Sequence, residues 1–278
     1  MLCVPPNFIT LVNSKLVPKH NLSSLRSVMV GAAPVSAELS LAFMRAIPSA
    51  RVTGGYGMTE TSPNICLMHR GQSSPERAKY VGRLLPIYQA RLVREDGEDA
   101  DGDAGEEGEL WVRGPSVMKG YHNNPSATAA TIAEGGWMKT GDVATRTPDG
   151  WYAIVDRKKE LIKYKGFQVA PAELEGLLLE HERVLDAGVV SVYDAEQATE
   201  LPRAYVVLNL EGKSPATIAQ DVMAHVAKRA SNHKRLRGGV VVVDAVPKSP
   251  SGKILRKLLR ERAAKNSDDV HMPSSARL

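Results

Sequence analysis

The 278-residue sequence carries 36 Lys and Arg against 31 Asp and Glu, a formal charge of +5, with 43% hydrophobic residues. That balance excludes a disordered or collagen-like chain, and the length accommodates about two domains with real cores. The longest β-rich apolar run, Val240 to Val243, falls far short of the ~18–20 residues of a membrane span, and Cys3 and Cys66 alone make no disulfide framework.

The first residues have no basic segment ahead of an apolar one, so they do not read as a secretory signal, and a reducing compartment is expected. Leu25 to Val30 reads as a buried strand ending in the tight loop Gly31-Ala32-Ala33-Pro34. Ser36 to Ala46 is predicted as a helix with Ser36 as N-cap and Leu39, Phe43 and Ile47 on one face. Arg51 to Gly57 repeats the plan, a short strand running into a Gly-rich loop. This is α/β architecture, in which ligands bind beyond the carboxyl ends of strands.

From Tyr80 to Asp156 strands and turns take over. Gln89 to Arg94 and Glu109 to Arg113 read as a hairpin joined by the acidic loop Glu95 to Glu107. That loop fails a calcium template, because Ala104 and Leu110 stand where Gly and Glu are required, so it reads as a solvated turn. The boundary falls after Asp156. Beyond it come a helix opening at Pro171, strands at Ala187 to Val192, Ala204 to Leu210 and Val240 to Val243, a helix from Ile218 to Ala230, and a last helix. Residues 157–265 thus form a compact α+β unit, and 266–278 a polar tail.

Charge is uneven along the chain: residues 1–156 hold 15 basic and 16 acidic side chains, and 157–278 hold 21 and 15. A basic half raises nucleic acid as a partner. No aromatic interleaves with the cluster from Lys253 to Lys265, as base stacking would require, so a polyanionic small molecule fits better.

Four segments carry chemistry. Tyr56-Gly57-Met58-Thr59-Glu60 puts an aromatic face, a hydroxyl and a carboxylate on one tight loop, suited to a purine, a phosphate oxygen and Mg2+ in turn. Thr140-Gly141-Asp142 presents a carboxylate on a turn. Arg157 to Lys165 packs five cations into nine residues, and Pro247 to Lys253 lifts a lysine on a Pro/Gly/Ser loop ahead of a helix. Each alone also fits ordinary turn or surface chemistry. No Gly-x-Ser-x-Gly elbow and no paired Cys or His spacing supports a serine hydrolase or a zinc site.

In this order the four segments resemble the adenylate-forming superfamily of acyl-CoA synthetases, 4-coumarate:CoA ligases, luciferases and peptide-synthetase adenylation domains. The likeness runs from about Leu25 to Arg262. It includes Gly31-Ala32-Ala33-Pro34, Gly55 to Glu60, Gly108 to Pro115, Thr140-Gly141-Asp142, Asp156-Arg157 and Pro247 to Lys253. The stretch Ile162 to Glu175 is similar to the coumarate-ligase and luciferase branch.

The resemblance implies the end of a large α/β AMP-binding domain (1–156) with a small β-barrel subdomain from about 80, followed by a mobile α+β domain. It implies an ATP-dependent ligase that activates a small carboxylic acid to an acyl-adenylate and passes the acyl group to coenzyme A. Ala32, Ala33 and Tyr56 would surround the adenine, Thr59 would touch the α-phosphate, and Glu60 would bind Mg2+. Asp142 and Arg157 would hold the ribose hydroxyls, and Lys159 would be the hinge. Lys253 would serve adenylation; Lys163 and Gln168 would serve the thioester step, with Lys165 and Gly166 near the coenzyme A channel.

The family's Ser/Thr/Gly-rich phosphate loop is not present before Gly31, so this chain alone is expected to be a poor catalyst. The alternative is a non-catalytic remnant that binds nucleotide or a partner. Ala276-Arg277-Leu278 resembles the tripeptide read by the peroxisomal import receptor, which makes peroxisome or cytoplasm the expected location.

Overall fold

The computed structural model describes residues 1–3, 5–31, 37–100, 105–249, 252–265 and 268–273, which leaves Ala32, Ala33, Ser36, part of the acidic loop and the last tripeptide outside the description. The chain divides into two compact units, Met1–Lys158 and Lys159–Leu278.

The first unit opens with β1 (Leu2–Cys3), α1 (Pro5–Asn13), β2 (Ser27–Val30), α2 (Ala37–Ala46) and β3 (Arg51–Gly57). The three strands run parallel, and the helices pack over them through the stacked rings of Phe8 and Phe43, whose centroids lie 4.3 Å apart. Phe8, Val28, Val30, Phe43, Ile47 and Ala50 close this core. The helix read from Leu39, Phe43 and Ile47 is there, because that spacing gives it one apolar stripe to bury.

Strand β3 is where the sheet changes character. Its first half pairs parallel with β2, and its second half, Gly55 to Gly57, pairs antiparallel with β4 (Asn64–Leu67). The sheet continues through β5 (Gly82–Leu84), β6 (Gln89–Val93), β7 (Gly108–Arg113), β8 (Ile132–Ala133), β9 (Trp137–Arg146) and β10 (Trp151–Arg157), with helix α3 (Pro125–Thr131) between β7 and β8. Its order is β1-β2-β3-β4-β5-β10-β9-β7-β6, with β8 against β9. A second core, including Ile65, Leu92, Leu110, Val112, Met138 and Ala144, lies under its antiparallel part.

In the second unit, β11 (Ile162–Tyr164) and β12 (Phe167–Val169) form a hairpin ahead of α4 (Pro171–Leu179). Strands β13 (Val184–Asp194), β14 (Thr199–Leu208), β15 (Val240–Val242) and β16 (Val270–His271) make a four-stranded sheet, with α5 (Pro215–Arg229) and α6 (Arg256–Ala264) in the connections. Strand alternation gives this sheet two apolar faces. Val189, Ala204 and Val206 pack with α4 and α5, whereas Val190, Tyr205 and Val241 pack with Leu259 and Ala263 of α6.

Several expectations change in detail. Thr140-Gly141-Asp142, read as a turn, lies inside the continuous strand β9, because Gly141 absorbs the irregularity at φ +72° while pairing continues on either side. The hairpin β11–β12 goes beyond the pattern of the sequence, since its turn residues Lys165 and Gly166 lie within a run of cations. The stretch read as a polar tail adds β16 to the sheet, with Val270 packed against its second core.

Candidate functional site

The first constellation is built around the switch in β3. Tyr56 lies opposite Cys66 on β4, and its hydroxyl donates to Asp142 Oδ2 at 2.6 Å. Gly57 is required by close approach: a Cβ there would overlap the Pro63 carbonyl oxygen, backbone that cannot retreat. Asp142 is itself buried and lies directly across the β9–β10 ladder from Arg157, whose Nε is 3.6 Å from Asp142 Oδ1. A register shift between Ile154 and Asp156 sets that pairing. Burial, reinforced by the Asp142 charge, pushes the Tyr56 phenol far above its ordinary value, so it stays a donor. A ring, a carboxylate and an exposed guanidinium thus converge from three strands.

The Thr59–Thr61 turn follows β3 at once. Thr61 Oγ1 donates to Pro63 O at 2.6 Å, and Tyr88 Oη donates to Thr61 O at 2.6 Å, which fixes the turn from beneath. Thr59 is exposed, and Glu60 is half-buried. The Tyr121 hydroxyl donates to Glu60 Oε1 at 2.8 Å, and the Met118 N–H donates to Glu60 O at 2.8 Å. That hydrogen bond to Glu60 raises the Tyr121 phenol above its usual range. Among the described residues no cluster of three metal-ligating side chains occurs. A single carboxylate offering hard oxygens fits Mg2+ in the manner in which that ion commonly binds, sharing one protein carboxylate with substrate phosphates.

The remaining expected residues lie in the second unit. Lys163 and Gln168 are directly opposite one another in the β11–β12 hairpin, so their exposed side chains share one face. Lys165 and Gly166 form its two-residue turn at φ 45° and 84°, a turn that demands left-handed backbone at both positions. The hairpin is pinned to β14: Lys163 N–H donates to Glu200 Oε2 at 2.7 Å, and Lys165 N–H to Thr199 Oγ1 at 2.8 Å.

Lys253 is exposed on a loop closed by Ser249 N–H to Lys253 O at 2.9 Å and by a bridge between Lys248 and Ile254. Lys248 Nζ sits 2.7 Å from both Asp186 oxygens, and Arg256 Nη2 sits 2.7 Å from Glu175 Oε2, with both Arg256 and Glu175 largely buried. The loop is therefore clamped on both sides by ion pairs. Asp186 and Glu200 mark opposite ends of the β13–β14 ladder, since Asp186 pairs with Val207 and Glu200 with Tyr193. At about 3.3 Å per residue the anchors of the two lysines lie roughly 20 Å apart along the strands.

Tyr56, Asp142 and Arg157 are brought together, whereas Lys163 and Lys253 are held apart. Ala32 and Ala33 fall outside the described residues. Sequence reasoning missed Tyr121, Asp186 and Glu200, and it missed the cations that Glu109 and Glu175 hold. A lone Glu within the apolar strand Gly108–Arg113 was the one readable signal among them.

The chain is similar to known proteins over most of its length. The AMP-binding enzyme family matches residues 1–122, and the AMP-binding enzyme C-terminal domain matches residues 173–253. The chain is 44% identical over 260 residues to a 4-coumarate–CoA ligase-like 6 protein of Oryza sativa subsp. japonica, covering 92% of this chain and 42% of that one. It is 42% identical over 260 residues to a luciferin 4-monooxygenase of Photinus pyralis, covering 94% and 46%. The structure of an O-succinylbenzoate coenzyme A synthetase from Bacillus subtilis, in complex with AMP, superposes with a TM-score of 0.77 at 30% identity, over 93% of this chain and 50% of that one. The chain spans about half the length of the curated relatives it matches.

Proposed function

Because this chain belongs to the adenylate-forming AMP-binding enzymes, we propose that it supplies the nucleotide site and the two catalytic lysines of an ATP-dependent acid–thiol ligase. The substrate class is a small carboxylic acid. Its carboxylate attacks the α-phosphorus of ATP to give acyl-adenylate and pyrophosphate. The coenzyme A thiol then displaces AMP to give the thioester.

The observation that carries this reading is the convergence of Tyr56, Asp142 and Arg157. A carboxylate held by a phenol donor at 2.6 Å is fixed in place to accept from ribose hydroxyls, and the guanidinium beside it offers a donor fork. Tyr56 would face the adenine together with Ala32 and Ala33, and Thr59 would hydrogen-bond the α-phosphate. Glu60 would hold Mg2+, which when bound neutralises charge on the phosphates.

Lys253 would steady charge as pyrophosphate leaves. Lys163 and Gln168, with Lys165 and Gly166, would serve thiol attack. Two lysines anchored at opposite ends of one ladder cannot serve one site together, which favours sequential use about a hinge at Lys159 and shields the acyl-adenylate from water. Where Leu278 is the carboxyl terminus, Ala276-Arg277-Leu278 would direct the enzyme to the peroxisome, as a fluorescent fusion of the last residues would test.

The decisive test is equilibrium binding of an acyl-sulfamoyl adenosine. Asp142→Ala is expected to weaken binding by at least about tenfold, the cost of charged hydrogen bonds. Equal binding by the variant, or none by the native chain, rejects the assignment. The non-catalytic alternative predicts that binding survives while no acid is turned over with ATP.

A further inference from the structure

Glu109 is a carboxylate on β7 that is only 9% exposed, and neither of its oxygens is used by the nucleotide assignment. Oε1 accepts from the Gly141 N–H at 3.2 Å, and Oε2 accepts from Lys158 Nζ at 2.9 Å. The Lys158 N–H in turn donates to the Gly141 carbonyl at 2.8 Å. Gly141 is therefore gripped at both its N–H and its C=O, and its left-handed φ of +72° is held by partners rather than by crowding, since a Cβ there would meet nothing within 4 Å.

The two residues joined this way are special by position. Gly141 precedes Asp142, and Lys158 is the last residue of the first unit, where the chain leaves for the second. We propose that Glu109 is a positioning residue that ties the Gly141–Asp142 segment of β9 to the chain exit at Lys158, so that ligand occupancy at Asp142 alters the constraint on the hinge. The link to occupancy rests on the nucleotide reading of Asp142; the latch itself rests on the hydrogen bonds alone. Glu109 touches no substrate in this scheme and acts through Gly141 and Lys158. An ordinary strand-end ion pair would stabilise the fold without making the exit respond to ligand.

Hydrogen–deuterium exchange at the Gly141 and Lys158 amides, with and without 5′-AMP, separates these. In the native chain 5′-AMP should slow exchange at Lys158. In Glu109→Gln, where the amide oxygen can still accept from Gly141, and in Lys158→Met, exchange at Lys158 should rise by about tenfold without ligand and lose its response to 5′-AMP. Glu109→Ala should also expose Gly141. Amides of Leu92 and Leu110 serve as controls and should not change.

Native-like protection of Lys158 in both Glu109→Gln and Lys158→Met overturns the latch, whatever 5′-AMP does. A retained ligand response in those variants overturns it as well. If 5′-AMP protects the Asp142 amide of the native chain but not Lys158, the coupling to the exit is overturned; if it protects neither while the ligand-free difference is present, the nucleotide reading fails and the latch stands. Lys158 is 42% exposed on its side chain, so Lys158→Met guards against a variant that merely fails to fold.

Discussion

The two units solve the problem of placing a reactive group in opposite ways. In the first, the groups that would meet the nucleotide are held by other side chains, buried or not: Tyr56 on the buried Asp142, the exposed Arg157 beside it, and the half-buried Glu60 under Tyr121. In the second, Lys163, Gln168 and Lys253 are exposed, and Glu200, Thr199 and the ion pairs around Lys248 and Arg256 hold the backbone on which they stand. A site that recognises one ligand gains from fixed side chains, because less order is lost on binding. A lysine that must reach a reacting group needs a fixed root beneath an exposed side chain. The difference teaches that the framework of the second unit, not its lysines, is where its stability resides.

The largest effect should come from breaking that framework. Arg256→Met leaves Glu175 buried with its Val189 N–H bond at 2.9 Å but without its cation. Removing one partner of a buried pair costs about 3–5 kcal/mol, so calorimetry should show the second unit melting early and the first unchanged. Coincident melting of both units would mean that the framework is shared.

Next in size is Gly57→Ala, the matching break in the first unit. The added methyl has no room beside Pro63 and Asn64 backbone, so a loss of about 1–3 kcal/mol is expected, together with displacement of the Thr59–Thr61 turn. Denaturant unfolding and nucleotide-analogue binding should both register it.

Alkaline pH taken only to about pH 10 sharpens the contrast by a smaller amount, about 1.4 kcal/mol. Burial pushes the Cys66 thiol from an ordinary value of 9.0 up to about 12. A raised folded value means that this stability is complete below pH 9 and is lost as pH climbs through 12. The slope reaches about 1.4 kcal/mol per pH unit from this one group. Cys66→Ala should remove the onset near pH 9 in the first unit and leave the second untouched. An unaltered onset would assign the loss to other groups.

How much of this was legible follows the same division. The α2 stripe of Leu39, Phe43 and Ile47 and the Gly-rich exit of β3 are local patterns, and the fold realises them. The Tyr56–Asp142 contact spans 86 positions, and no periodicity announces it; resemblance alone placed the two in one site. Glu109 reads as the start of a strand and Glu175 as a carboxylate near a helix N-terminus, and neither local pattern names the cation that each meets in space. Val270 reads as tail because two paired residues are too short to carry a strand signal.

The smallest expected effect is the most informative about the second unit. Lys253 and Gln168 are both exposed, and their anchors, Ser249 Oγ to Lys253 N–H at 3.2 Å and the ladder opposite Lys163, are backbone contacts that a substitution preserves. Lys253→Met and Gln168→Ala should therefore each change unfolding free energy by less than about 0.5 kcal/mol. Any loss of ligase chemistry in these variants could then be read as loss of a reagent and not of the scaffold. A fall above about 1 kcal/mol in urea unfolding would show that these side chains belong to the packed framework. The contrast between a fixed recognition site and exposed lysines on a fixed backbone would then have to be abandoned.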